Sequence, residues 1–447
     1  MQFLEDNGVN LKNFKKHKTI FLEEGNMKLK RLVCLASVIL LVFAGLTFAQ
    51  KKPVKISFWH LDTQDDYKAE WQKMADEFMA KNPHVKIEIT VLENEAFKQK
   101  IATIMQSGNP PDLFRSWGGG VMIEYAKAGL LKDITEHVVG TEWGKSIGAG
   151  AMAVYSYNGK YYGAPYDMGA VGIWYNKAMF KKLGLKPFKT WSELLAGVKK
   201  IKSAGIIPIA LGEGDKWPGH FWWVYLAVRL GGKEAFEKAY SRKGSFADEP
   251  FVKAGEKLNE LIALDPFQPG FLSASYNDEA SLVGNRKAAM ELMGQWAPYV
   301  QNANTPDGKG LGEDLGFFPF PMVEGGKGKP TDVMGGGNGY IVGKNAPPEA
   351  VEFLKFIVSY ENNSRLASQG RIIPVVKGAE KALKDENAKF IAQMVSKADY
   401  YQLYYDQFLP PAVGEAVKDA TQMLFAKKAT PKEAAEMIEK AMKEATK

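Results

Sequence analysis

The sequence predicts an α/β protein built as two lobes around a cleft, and three observations predict it. After about residue 53 the chain alternates strand, helix, strand, helix, strand, and a second alternating run follows the stretch from Tyr157 to Gly184. At 447 residues the chain is longer than one hydrophobic core ordinarily serves. The stretch between the two runs carries its polar groups inside its strands, as a segment crossing from one body to another would. Residues 53–165 with 335–372 are therefore expected to form one lobe, and 166–334 with 373–447 the other.

In the first run, Lys55 to Trp59 alternates like a half-buried strand and stops at His60-Leu61-Asp62. Trp71, Met74, Ala75 and Phe78 then recur at helical spacing over about 66–81, and Asn82-Pro83 ends that helix. Val85 to Leu92 alternates again, a helix follows over about 95–106, and Asp112-Leu113-Phe114 leads into Arg115-Ser116-Trp117 and three glycines. Ligands of parallel sheets collect at the carboxyl ends of the strands, where His60, Asp62 and Trp117 fall. Trp59 is ambiguous: it points either toward ligand or into the core with His60 facing out.

Tyr157-Asn158-Gly159-Lys160-Tyr161 is a hairpin signal. Pro165-Tyr166-Asp167 breaks the apolar run that follows, the mark of a crossing, and Asn176 is placed to cap a helix from Lys177. In the second run Thr190 and Glu193 read as a capping box for a helix ending at Gly205, and Ile206 to Leu211 as a strand whose tip carries Asp215 and Trp217. Ala288 to Met293 is a further strand, ending at Gly294-Gln295-Trp296. Residues 317–339 read as a second crossing, with the glycines from Gly335 as a flexible hinge. A helix over 347–360, a third crossing at Arg371 to Val375, and a helical C-terminus with a capping box at Thr430 and Glu433 complete the chain. Within that C-terminal part Tyr404, Asp406 and Gln407 lie in an aromatic cluster.

Lys28, Lys30 and Arg31, the apolar run from Leu32 to Phe48 and a small residue at Ala49 read as a secretory signal peptide over 27–49, with 1–26 an upstream extension. An uncleaved anchor is the alternative reading. The net charge is +7. Setting aside the seven basic and four acidic residues before position 50 leaves +4, too mild and too evenly spread for a nucleic-acid partner. The single cysteine, Cys34, and five scattered histidines give no metal-ligand spacing, so neither metal nor cofactor is expected. Local signatures of hydrolases, phosphate loops and dinucleotide sites are missing. A secreted glycosidase using a carboxylate pair among Asp62, Asp215 and Asp406 stays open.

What the strand tips do offer is rings and carboxylates. A pyranose presents a flat C–H face that packs on an aromatic ring, and an equator of hydroxyls that bond carboxylates and amides. Trp117, Trp217 and Trp296, each beside Gly, Pro or a strand end, are better placed for this than Trp71, Trp143, Trp191 or Trp223.

The segments YNGKYYGAPYD, WYNKAMFKKLGLKP, SGNPPDLF, LMGQW, GGGNGYIV and QLYYDQFLPPAVGEAV resemble those of family-1 extracellular solute-binding proteins, the sugar-capturing components of ATP-binding-cassette importers. The resemblance covers nearly all of the chain from about Val54. It implies a two-lobe periplasmic-binding-protein fold of type II-like form, joined by about three crossing segments. It also implies a periplasmic monomer that delivers an oligosaccharide to membrane permease subunits. The last segment is most similar to members that take up xylo-oligosaccharides or raffinose-type α-galactosides. By the same resemblance Trp117, Trp296, Asn338, Tyr404, Asp406 and Gln407 would face ligand. A binder of glycerol-phosphate, polyamine or peptide shares the architecture and is the alternative reading.

Overall fold

In Val54–His60 (β1) the buried positions Ile56, Phe58 and His60 alternate with half-covered ones, the pattern of a strand pressed against a core on one face. It belongs to a computed structural model that describes residues 52–447. The extension, signal segment and Cys34 lie outside the described residues. β1 pairs in parallel with Val85–Val91 (β2) and Leu113–Ser116 (β3). Between them run the helices Asp65–Lys81, which buries Trp71, Met74, Ala75 and Phe78, and Asn94–Ser107. The hairpin Ser156–Tyr157 (β4) and Lys160–Tyr161 (β5) turns through Asn158 at φ 49° and Gly159 at φ 75°.

Gly163–Ala170 (β6) stays with the first sheet, pairing antiparallel with the later strand Val333–Val342. The pairing skips Tyr166, opposite a register break at Asn338 and Gly339, so Pro165 and Tyr166 mark a bulge inside the sheet and the passage to the second body comes later, at Val171. Gly172–Asn176 (β7), Ile207–Ile209 (β8), Ala288–Met293 (β9) and Leu315–Phe318 (β10) form the second sheet in the order β10-β7-β9-β8. Asn176 Oδ1 accepts the Met179 amide at 3.0 Å and starts the Lys177–Lys182 helix. Thr190 caps its helix alone: the Glu193 carboxylate takes the Lys189 amide at 2.7 Å, one residue before the cap.

Val333–Val342 (β11) returns to the first sheet between β3 and β6, and Tyr401–Leu403 (β12) pairs with it in parallel. The second-lobe expectation for 373–447 therefore fails at β12, which extends the first sheet at its edge. The glycines of β11 are likewise not a flexible link. They are buried strand positions, and a Cβ at Gly336 would lie 2.1 Å from the Tyr404 ring. Close approach of a neighbouring aromatic is what excludes side chains there. The helix expected over 347–360 is two, Pro348–Ile357 and Tyr360–Ser368, the second capped by Ser359. No helix among the described residues is long and apolar enough to cross a membrane.

In the second body Glu291 of β9 and Glu279 are fully buried neighbours. Glu291 accepts Gln301 Nε2 at 2.6 Å and Glu279 accepts the Gly212 amide at 2.7 Å. Burial raises both carboxyls, Glu291 to about 7, and the charge of Glu291 further raises Glu279. A carboxyl whose folded-state value is raised contributes its full stability below the unfolded value, near 4.5, and loses it as pH climbs through the folded value. Thermal midpoints of the wild type should therefore fall between pH 5 and pH 8. In Glu291→Gln, whose amide can donate to Glu279, the fall should be smaller, and parallel pH profiles for the two proteins would contradict this assignment.

Candidate functional site

Parallel strands aim their carboxyl ends at one edge of a sheet, and here the edges of both sheets border a single cavity of about 400 Å³. From the first sheet come Asp62, beyond β1, and Trp117, beyond β3. Trp117 is followed by Gly118 at φ 69°, where a Cβ would meet the Val154 carbonyl oxygen at 2.5 Å, so only glycine permits the turn that sets the indole at the cavity. The indole packs edge-on to Phe97 of the Asn94–Ser107 helix. Asp62 is held by Trp71, whose Nε1 donates to its Oδ2 at 2.8 Å, with Arg115 Nη1 3.6 Å from the same oxygen.

The second sheet supplies most of an aromatic wall, which Tyr404, just beyond β12 of the first sheet, completes. Asp215 ends the short Glu213–Asp215 turn and accepts the Tyr276 amide at 2.8 Å, while Trp217 opens the Trp217–Tyr240 helix. Burial, then Glu95 and Glu93 facing it, push the Asp215 carboxyl above its ordinary value. The Trp217 ring lies 4.9 Å from Tyr276, 5.6 Å from Phe221 and 6.3 Å from Trp296, and Trp296 lies 6.3 Å from Tyr404. Three polar atoms in this wall, Trp217 Nε1, Tyr276 Oη and Tyr404 Oη, are buried with no hydrogen-bond partner in the protein. Asp406 lies beside them with Oδ1 3.4 Å from His220 Nε2, and Gln407 Nε2 donates to its Oδ2 at 2.9 Å. Burial pushes the Asp406 carboxyl up, but His220, Lys98, Lys418 and the Gln407 amide outweigh it and leave it below the usual range.

Asn338 lines the cavity from β11 and also donates to Asp167 Oδ2 at 2.6 Å. The same buried carboxylate accepts Gln295 Nε2 at 2.7 Å and the Ile373 amide at 2.8 Å. One side chain of β6 thus joins β11, the Arg371 to Val375 passage and the loop after β9. Burial lifts its carboxyl to about 6, against the pull of those donors.

Asp62, Trp117, Asp215, Trp217, Trp296, Asn338, Tyr404, Asp406 and Gln407 therefore share one cavity, and Trp59 and His60 do not. The phase of β1 is the reason. His60 takes the buried face beside Phe58 and Trp71, accepts the Asp62 amide at Nδ1 (3.3 Å), and is pulled by burial to about 4. Trp59 takes the opposite face, against the cluster around Phe97 and Ile101. Among the described residues no group of three or more acidic, histidine or cysteine side chains is placed to hold a metal ion.

Sequence reasoning missed Lys98 and a bridge across the cavity formed by Asp66, Tyr67, Tyr299 and Arg371. The Tyr299 hydroxyl, on the Ala297–Ala303 helix after β9, donates to Asp66 Oδ1. The Arg371 guanidinium lies 4.6 Å from the Tyr67 ring and 5.3 Å from that of Tyr299, and its Nη2 donates to Asp66 Oδ2 at 3.0 Å.

Residues 62–364 match the family described as bacterial extracellular solute-binding protein. An ABC transporter extracellular-binding protein of Pyrococcus horikoshii is 29% identical over 273 residues, and the match spans 60% of each chain. A structure solved in a study of xylan utilisation by Caldanaerobius polysaccharolyticus superposes with a TM-score of 0.81 at 28% identity, covering 86% of this chain and 99% of that one. A chitin oligosaccharide binding protein superposes at 0.80 with 25% identity, covering 88% and 98%.

Asp66 does not line the cavity, so its removal tests the bridge without altering the lining. In Asp66→Ala the ligand-free protein should show a larger radius of gyration by small-angle X-ray scattering. Ligand should leave a few-fold faster, a modest effect because Asp66 is largely exposed. Identical scattering and dissociation would mean that the bridge holds nothing shut.

Proposed function

Because the chain belongs to the bacterial extracellular solute-binding protein family, we propose that it captures an oligosaccharide outside the cytoplasmic membrane and delivers it, uncleaved, to an ATP-binding-cassette permease. The observation that carries this reading is the cavity wall. Rings of Trp217, Trp296 and Tyr404 stand beside the ionised Asp406, and Asp62 and Trp117 join them at the cavity from the tips of β1 and β3. C–H faces of sugars stack on such rings, and hydroxyls bond the carboxylates and the unpartnered Trp217 Nε1 and Tyr404 Oη. The xylan and chitin contexts of the two similar structures support the same class of ligand.

A phosphate or other anion is disfavoured by the electrostatics. The lining cations Arg115, Arg371 and Lys98 each have a carboxylate within 4 Å, Asp62, Asp66 and Glu95 respectively. The mechanism is a hinge equilibrium. Ligand contacts drawn from both bodies exist only when the cleft is shut, so a sugar reaching both shifts the population toward the closed form that a permease would recognise. A periplasmic monomer with a cleaved signal peptide fits this role.

A thermal-shift screen against xylo-, chito-, malto- and raffinose-series oligosaccharides should find a stabilising ligand, and long incubation should return it intact. By titration calorimetry Trp296→Ala and Asp406→Ala should each weaken binding by about 1 to 3 kcal/mol. Unchanged affinity in both variants would remove the cavity from the account.

A further inference from the structure

Lys98 lines the cavity between indoles of the two sheets. It lies on the second turn of the Asn94–Ser107 helix, and Glu95, three residues earlier, accepts its Nζ at 2.8 Å. Glu95 is itself fixed by Asn94 Nδ2 at 2.8 Å. The ammonium is thus mounted on a helix and held there, and only 23% of the side chain remains exposed.

From this mount Nζ reaches 5.6 Å from the Trp117 ring centre and 5.9 Å from that of Trp217. The two indoles come from different sheets, one from the tip of β3 and the other from the turn beyond β8. A pyranose stacked on an indole puts its carbons about 4 Å from the ring. An ammonium over both rings at these distances leaves no room for a sugar ring between itself and either indole, which would need a gap of about 8 Å. Elsewhere the wall is continuous, Trp217 to Trp296 to Tyr404 and Tyr67 to Tyr299, and rings approach one another directly. Between Trp117 and Trp217 the contact runs through Lys98.

We propose that Lys98 is a length-determining residue: standing between Trp117 and Trp217, it closes the cavity where these two loops meet and denies an oligosaccharide a sugar position between the two indoles, leaving the side of Trp217 toward Trp296 to the ligand. The inference rests on the carbohydrate reading above. The position is electrostatically supported, since the charge of this ammonium acts on both Asp215 and Asp406. The plug therefore fixes ligand length and adds a contact across the cleft.

The test is calorimetry of wild type, Lys98→Ala and Lys98→Met with xylo- and chito-oligosaccharides of two to five units. Lys98→Ala should shift the preferred length upward by one unit, raising affinity for the longer chain relative to the shorter by tenfold or more. Lys98→Met keeps a stem of similar bulk without the charge and should retain the wild-type length preference. Equal weakening of every length in Lys98→Ala would make Lys98 a hydroxyl donor or strut and overturn the proposal, as would an unchanged length profile. Failure of the wild type to bind any member of either series would overturn the carbohydrate reading and the plug together.

Discussion

The buried carboxylate of Asp167 is the constraint on which the arrangement of the two bodies depends. Its three donors come from β11, from the passage after Arg371 and from the loop beyond β9, so strands that pass between the sheets are tied at one point. Burial pushes such a group toward its neutral form, and each donor it gains favours the charged form. The packing around it is equally committed. Asn363 spans Tyr166 and the Val375 and Val376 amides, and Tyr225 bonds the Val171 carbonyl at the crossing itself. A pivot built this way can bend where the backbone leaves the cluster, while the cluster keeps the register of what crosses it.

Asn338 belongs to both the pivot and the cavity, and Gln295 reaches the pivot from the residue beside Trp296. Side chains that line the cavity are therefore one hydrogen bond away from the carboxylate that organises the crossings. The cavity and the crossings share atoms, so coupling between them would need no long chain of intermediates.

The strand tips were legible in the sequence because the rule that governs them is topological. Once β1, β3 and β9 are recognised, Asp62, Trp117 and Trp296 follow. Trp59 and His60 were misplaced because both faces of β1 carry aromatic rings, and alternation alone leaves the phase open. The glycines of β11 suggested flexibility, since composition does not disclose the Tyr404 ring packed over Gly336. Tyr299 and Asp66 are 233 residues apart, and each reads as an ordinary residue of a helical turn. No local pattern could join them. Lys98 was invisible for a related reason: its meaning comes from two indoles on other loops.

The clustering of Trp117, Trp217 and Trp296 around one cavity has an optical consequence. Indole emission responds to the polarity and nearby charge of its surroundings, and here three emitters border the space a ligand would enter, one of them on the opposite sheet from the other two. Filling or shutting that space changes the solvent and the ammonium next to them, so the intensity and colour of intrinsic fluorescence become a built-in gauge of occupancy that requires no attached dye.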